Sequence, residues 1–469
     1  MSTTLIASVS GIRGIFGNGL DPEVLARYAG AYGAWCLRRA ASAGRDPVVV
    51  VGRDARVSGE ICASIVIATL RSAGIDVVDT GLATTPTVEM AVTALSASGG
   101  IVLSASHNPP EWNALKLLNE KGEFLSPEEG KEVLHLAESG KADVAPPNSP
   151  GGYRQEDFLA YHIDRILALE YIDVETIARK DFSVVIDAVN SVGGIALPPL
   201  LKRLGVREER IHCLHCEPTG LFAHPAEPLQ EHLSELIETV AAMDADAGFA
   251  VDPDADRLAL VADGGTYMGE ELTQVIAADF MWRIRAGSFV TNLSSSRAID
   301  DVAVSFGQQV FRSPVGEIHV VKKMQEAGAV LGGEGNGGVI LPDLHYGRDA
   351  LVGAALVLQH MANRSESLSA MKARLPKYVL SKNKVSVGEH DPGSLLAALA
   401  ERYREYDTNT IDGLKIDFED AWVHLRKSNT EPIVRIYAEA PSQKRASKLA
   451  ARFIAEIETA ANDSSVSDR

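Results

Sequence analysis

The 469 residues carry a formal net charge of −18, 46% hydrophobic residues and four cysteines. Such a length calls for several domains, no apolar run approaches the ~18 residues that span a bilayer, and the start Met1-Ser-Thr-Thr-Leu-Ile lacks the basic segment of a signal peptide. The acidic excess argues against nucleic-acid and membrane-surface partners, so the expectation is a cytoplasmic protein whose anion sites concentrate their own Arg and Lys.

Asp21-Pro22 opens a helical pattern to about Arg39, with Asp at the N-cap and Pro at the first helical position. Pro47 to Val51 is an apolar strand ending at Gly52-Arg53-Asp54. Ser58 is placed to cap a helix to Ala73, Ile75 to Val78 is a strand, and Thr85-Pro86 opens another helix. Gly100 to Leu103 then runs into Ser104-Ala-Ser106-His107. This βαβα rhythm argues for a largely parallel sheet between helices.

The rhythm recurs. Phe182 to Ile186 ends at Asp187, Gly248 to Val251 at Asp252-Pro-Asp254, Phe289 to Asn292 at Ser294-Ser-Ser-Arg297, and Val330 to Leu331 at Gly332-Gly-Glu334. Open α/β sheets place their ligands at such strand ends. Three α/β units follow, at about 1–150, 151–254 and 255–368, with Pro146-Pro147-Asn148-Ser149-Pro150-Gly151-Gly152 marking the first boundary. Residues 369–469 differ: Lys372 to Lys384 reads as a connector, Asp417 to Ala440 holds two β-rich runs around a polar loop, and Gln443 to Ala460 is an amphipathic helix. This is a smaller α+β domain, with a tail from Asn462 to Arg469 expected to be disordered.

Four loops carry candidate chemistry. Ser106, at a strand end and followed by His107 and Asn108, has the setting of a nucleophile, although by itself the tripeptide reads more readily as a cap or turn. Asp252, Asp254 and Asp256 alternate ahead of Arg257. They are not an EF-hand, because Arg257 and Asp263 stand where that loop needs Gly and Glu. Three clustered carboxylates repel one another without a cation, so the pattern points to a hard metal such as Mg²⁺. Gly332-Gly-Glu334-Gly-Asn336-Gly-Gly338 lacks the Lys-Ser/Thr of a phosphate-binding loop and suits either a sugar site or a plain turn. Arg426-Lys-Ser428-Asn429-Thr430-Glu431-Pro432-Ile-Val-Arg435 gathers cations, hydroxyls and an amide, which suits a dianionic phosphate. The Cys213-x-x-Cys216 pair beside His212 and His215 lacks the second ligand pair a structural zinc needs.

In this order the loops resemble the α-D-phosphohexomutase family of phosphoglucomutases, phosphomannomutases and phosphoglucosamine mutases, over nearly the whole chain from Ser10-Gly-Ile-Arg13 onward. The resemblance implies three similar α/β domains with mixed, largely parallel sheets plus a smaller C-terminal α+β domain, around a central cleft. It implies that Ser106 is phosphorylated in the active enzyme and that Asp252, Asp254 and Asp256 bind Mg²⁺ together with that phosphoserine. Arg257, Lys116 and Arg13 are then expected near the reacting phosphate, Glu334 and Asn336 at the sugar, and Arg426, Ser428, Asn429, Thr430 and Arg435 at the non-reacting phosphate. His107 and Lys116 are the candidate general bases. Many relatives read Gly-Glu-x-Ser-Gly-His in the sugar loop, where this chain has Asn336 and Gly338. That loop, Arg312-Ser-Pro-Val-Gly-Glu317 and Tyr346-Gly-Arg348-Asp349 resemble the archaeal-type phosphoglucosamine mutase branch.

The implied activity interconverts hexose 6-phosphate and hexose 1-phosphate through hexose 1,6-bisphosphate, which also serves as primer. Glucosamine phosphate is the expected preferred substrate, with glucose and mannose phosphates as alternatives. The expected partners are hexose phosphates, and the expected state is a monomer or homodimer. The rivals are a phosphatase using the Asp cluster and an inactive sugar-phosphate-binding protein.

Overall fold

The computed structural model describes residues 4–8, 11–140, 149–388, 390–428 and 433–467, with backbone alone beyond 460. Two compact units emerge: residues 1–285 with 330–373, and residues 286–329 with 374–469.

The first unit opens with an eight-stranded mixed sheet. Its centre is Val48–Arg53, parallel to Asp76–Leu82 and Gly99–Leu103; Trp112–Leu118 then joins antiparallel, followed by Gly11–Phe16. Strand alternation builds two cores. Val49 and Val51 face a cluster with Leu25, Val66 and Leu70, whereas Val50 faces one with Val88 and Val92 on the opposite side. Val48–Arg53 is thus covered on both faces, as its unbroken valine run implies.

Local signals hold with informative exceptions. Asp21 caps Pro22–Ser42 by accepting from the Val24 amide. Ser58 stands at the start of Gly59–Ser72 but does not cap it: its backbone is already helical, and its hydroxyl accepts from Asn113 Nδ2 at 3.0 Å. Thr84, not Thr85, caps Thr85–Ala94, which leaves the Thr85 hydroxyl for another partner.

A second, five-stranded sheet in this unit runs Ile211–Leu214, Val184–Asp187, Ala247–Val251, Leu258–Ala262, Thr266–Tyr267. The first three strands are parallel, and the last two return antiparallel. Leu331–Glu334 and Gly338–Ile340 form an antiparallel hairpin. The fold class is thus α/β with mixed sheets, as expected.

The second unit contains the parallel pair Phe289–Asn292 and Val310–Ser313. It also contains a fully antiparallel sheet ordered Val379–Ser386, Ile433–Ala440, Trp422–Lys427, Leu414–Asp417, Asp407–Asn409. Pro392–Arg402 and Gln443–Ser467 pack on that sheet around Leu396, Ile416, Ile436 and Phe453. Two expectations are corrected here. Lys372 lies in the helix Leu368–Arg374 and Lys384 in a strand, so the linking stretch is only 375–378. The backbone from Asn462 to Ser467 continues the last helix, because nothing in that polar run breaks it. No helix among the described residues is long and apolar enough to cross a membrane.

Candidate active site

Ser106 sits just beyond Gly99–Leu103 with φ of +49°, a left-handed conformation that non-glycine residues adopt at a cost. Its amide donates to Ser104 Oγ at 2.9 Å, and its hydroxyl donates to Asp252 Oδ2 at 2.6 Å. The turn is pinned from outside the loop by Arg56, a fully buried residue. Arg56 Nη2 donates to the carbonyls of Ser106 and of Asn108 (2.7 Å), Nη1 to those of Pro109 and Trp112 (3.0 Å), and Nε to Asp54 at 3.0 Å. Only a five-donor planar fork serves so many acceptors at once. Arg56→Ala strands four carbonyls and the Asp54 carboxylate, and should cost about 3–5 kcal/mol of stability. Arg56→Lys keeps the charge but not the fork; it should fold yet lose roughly a hundred-fold in turnover, because the serine is no longer held in place. Thermal unfolding measured beside kcat on both variants separates the two effects.

Asp252, Asp254 and Asp256 are all fully buried, and they offer ligand oxygens within 4.8 Å of one another. The loop is held by backbone contacts: Thr85 N to Asp254 O at 2.9 Å, Ala350 N to Ala255 O at 3.2 Å, and Ser191 Oγ to Pro253 O at 2.6 Å. Asp254 and Asp256 have partners on one oxygen each, Asp252 on both. Asp252 Oδ1 accepts from the amides of Asp256 and Arg257 at 3.2 Å. Asp254 Oδ2 accepts from Lys116 Nζ at 2.6 Å and from the Thr85 hydroxyl. Asp256 Oδ2 accepts from Arg348 Nη2 at 2.7 Å. Asp254 Oδ1 and Asp256 Oδ1 are buried with no hydrogen-bond partner among the described residues. Orphaned carboxylate oxygens converging in one place fit a hard divalent cation.

The charges agree with that assignment. Burial, and then Asp256 and Asp254, push Asp252 well above the carboxylate range. Burial would raise Asp254 too, but Lys116 outweighs it and holds the group below its ordinary value. Burial opposes the charge on Lys116, yet Asp254 and Asp256 keep the amine protonated and raised. Lys116 thus stands as an ion-pair partner of Asp254, at 2.6 Å. His107 is pushed down to about 2, first by Arg257, then by burial, Arg348 and Arg13. Arg13 is itself lowered by burial and by Arg257. Three guanidiniums thus share one neighbourhood in a strongly acidic chain, a setting for a phosphate. Arg13 comes from Gly11–Phe16, paired with Ala114 two residues from Lys116 on the adjoining strand.

The glycine-rich hairpin packs onto the metal loop. The Leu258 amide donates to Gly337 O at 3.0 Å, and Gly337 has φ of +88°. Glu334 is buried and accepts from Arg348 Nη1 at 2.9 Å; Asn336, half-buried, accepts from the Gly338 amide at 3.2 Å.

In the second unit, Arg426 and Arg435 are cross-strand partners, and Arg435 is also in register with Lys384. Three cations abreast on one sheet face repel unless an anion joins them. Arg426 pairs with Asp412 at 2.8 Å, Arg435 is exposed, and the Ser428 amide donates to Ile433 O at 3.0 Å. Asn429 and Thr430 lie outside the described residues. Neither cysteine of the C-x-x-C pair belongs to a potential metal cluster among the described residues.

Sequence reasoning missed Arg56, Thr85 and Lys384, and gave Arg348 no role at the site. The signal for Arg56 was its place just after the strand end Gly52-Arg53-Asp54. Its partners are backbone carbonyls some fifty residues away, and no side-chain motif announces those.

Models of phosphoglucomutase/phosphomannomutase match the chain in order: alpha/beta/alpha domain I over residues 5–143, domain II over 160–265, domain III over 268–378, and the C-terminal domain over 383–456. A phosphoglucomutase/phosphomannomutase of Thermococcus kodakarensis is 38% identical over 93% of this chain and 94% of its own length. A "Probable phosphoglucosamine mutase" of the same organism is 34% identical, over 94% and 95%. The crystal structure of a phosphoglucomutase/phosphomannomutase family protein from Burkholderia thailandensis superposes with a TM-score of 0.82 at 28% identity, covering 97% of both chains. The chain belongs to the α-D-phosphohexomutase family. It is an enzyme of the isomerase class, an intramolecular phosphotransferase.

Proposed function

We propose that this phosphohexomutase interconverts hexose 6-phosphate and hexose 1-phosphate through a phosphoserine at Ser106, and that glucosamine phosphate is its preferred substrate. The observation that carries the mechanism is the hydrogen bond from Ser106 Oγ to Asp252, 2.6 Å, at a triad in which Asp254 Oδ1 and Asp256 Oδ1 have no hydrogen-bond partner among the described residues. A free hydroxyl of the bound monophosphate attacks the phosphorus on Ser106. The bond from phosphorus to Oγ breaks as the new one forms, giving hexose 1,6-bisphosphate, which turns over and returns its other phosphoryl group to the serine. The same bisphosphate primes an unphosphorylated enzyme.

Mg²⁺ held by Asp252, Asp254 and Asp256 with the phosphoserine would neutralise charge on the group in transfer. Lys116, kept cationic by Asp254, does the same from the other side. Proton removal is assigned to His107, whose buried Nδ1 has no hydrogen-bond partner among the described residues. Phosphate beside Arg257, Arg13 and Arg348 counters their field and returns His107 toward its ordinary range. Arg257 and Arg13 hold the reacting phosphate, and Glu334 and Asn336 read the equatorial hydroxyls common to both orientations of the sugar. Arg426, Ser428, Asn429, Thr430 and Arg435 hold the non-reacting phosphate, with Lys384 joining them by register. The enzyme works in the cytoplasm as a monomer or homodimer.

The sugar preference rests on the Glu334–Gly338 loop. An acidic acceptor suits a protonated 2-amino group, Asn336 serves either an amine or a hydroxyl, and the relative named for glucosamine phosphate matches over nearly its full length. The higher identity to the relative named for glucose and mannose phosphates favours a second reading, in which those sugars lead. A coupled assay on glucosamine, glucose and mannose 6-phosphates, primed with hexose 1,6-bisphosphate, decides. The expectation is glucosamine phosphate first by roughly ten-fold, since an amine-for-hydroxyl difference is worth about 1–3 kcal/mol. Glucose or mannose phosphate ahead by that margin overturns the preference and leaves the mutase reaction standing.

A further inference from the structure

Gly338 has no room for a side chain because Arg348 already fills it. A Cβ on Gly338 would stand 2.3 Å from Arg348 Cδ and 2.8 Å from its Cγ, well inside the ~3.5–4.0 Å of ordinary carbon contact. In this geometry a side chain at 338 and the stem of Arg348 exclude each other.

From that wedge the guanidinium forks between two loops, with Nη1 on Glu334 Oε2 at 2.9 Å and Nη2 on Asp256 Oδ2 at 2.7 Å. One buried cation therefore joins the sugar loop to the metal triad. Its backbone is anchored on both sides. A Cβ on Gly347 would meet Glu89 Oε2 at 1.9 Å, so glycine alone lets the chain pass. His345 Nδ1 lies 3.2 Å from the same Glu89 oxygen. Asp349 caps the helix Ala350–Arg364 and, through its other oxygen, meets His162 Nε2 at 2.9 Å. The arginine stem thus rises from a fixed base and cannot drift from the two carboxylates.

We propose, resting on the mutase reading above, that Arg348 is a positioning residue for both sugar and metal. It holds the Glu334 carboxylate against the hydroxyl edge of the sugar. At the same time it occupies Asp256 Oδ2, leaving Oδ1 for the cation and tempering the negative charge that the cation meets. Removing it should have opposite effects at the two loops. Sugar binding weakens because Glu334 loses its brace, while metal binding tightens because the triad loses a competing positive charge. A residue that merely supported the fold would weaken both.

The experiment measures Mn²⁺ binding by electron paramagnetic resonance and steady-state kinetics on Arg348→Ala, Arg348→Lys, Gly338→Ala and the double variant Gly338→Ala/Arg348→Ala. Arg348→Ala should raise KM for glucosamine 6-phosphate by roughly ten- to a hundred-fold with kcat much less affected, and should bind Mn²⁺ at least as tightly as the wild type. Arg348→Lys, which reaches one carboxylate but not both, should fall between. Gly338→Ala should impair the enzyme by forcing the arginine out, and adding it to Arg348→Ala should cost nothing further. Unchanged KM in Arg348→Ala, weakened Mn²⁺ binding in a folded variant, or additive losses in the double variant overturns the proposal. If Arg348→Ala does not fold, the same criteria apply to Arg348→Lys. A wild-type protein with no mutase turnover would sink the mutase reading instead, and the direction of the Mn²⁺ shift would still decide the role of Arg348.

Discussion

Ser106→Ala should bring mutase turnover to background while leaving the fold intact. The side chain is small, and the loop is held by other groups: Ser104 takes the amide, Arg56 the carbonyl. What disappears is the only hydroxyl that donates to the triad carboxylate Asp252 among the described residues. A phosphoryl group then loses its acceptor on Asp252, and the other hydroxyl at the triad, that of Thr85, is engaged with Asp254 beside Lys116. Ser104, two residues earlier, has its Oγ engaged by the Ser106 amide. Intact-mass measurement on protein isolated with its phosphate should show one added phosphoryl group in the wild type and none in the variant. Full turnover by Ser106→Ala would refute the mechanism, and a phosphate that maps to Ser104 would move the nucleophile by two residues.

The second large effect is expected at the carboxylates. Asp252→Asn and Asp256→Asn each remove one negative ligand and should lower turnover at least roughly a hundred-fold, with Mg²⁺ dependence displaced to higher concentration. Asp254→Asn should do more, because Asp254 also carries Lys116 and Thr85. A lysine that is nearly buried then loses its closest counter-charge, at about 3–5 kcal/mol. Melting temperature should therefore fall most for Asp254→Asn, less for Asp256→Asn, where the buried Arg348 keeps Glu334 as its counter-charge, and stay nearly level for Asp252→Asn. For the wild type, thorough chelation should abolish activity and Mg²⁺ restore it. An enzyme that works undiminished after chelation is incompatible with a metal role for the triad.

The chemistry-bearing loops were legible because each signal is local. A strand that ends in Asp-Pro-Asp-x-Asp announces clustered charge in the sequence itself, and the valine run 48–51 announces a strand covered on both faces. The supports of those loops were not legible, because their partners are distant in sequence. Arg56 reads as one more arginine until four carbonyls from 106–112 are seen to converge on it. Arg348 looks like part of a family motif until its stem is found lying across Gly338. Thr84 and Thr85 are equivalent by propensity as caps of the helix that Thr85-Pro86 opens. What separates them is that Thr85 has Asp254 to bond, a tertiary fact. Ser58 lost its cap for a similar reason, since Asn113 claims its hydroxyl. The antiparallel returns at Trp112–Leu118 and Leu258–Ala262 depend on sheet order, which hydrophobic periodicity does not encode.

The central claim, that the phosphoryl group passes through Ser106, is tested most directly by labelling. Dephosphorylated enzyme is incubated with Mg²⁺ and a hexose 1,6-bisphosphate carrying isotopically labelled phosphate, and the labelled peptide is mapped before and after a chase with unlabelled hexose monophosphate. One labelled site is expected, Ser106, emptied by the chase as label appears in the sugar phosphates. Turnover that proceeds while the protein stays unlabelled, or label that rests on another residue and does not chase, would contradict it.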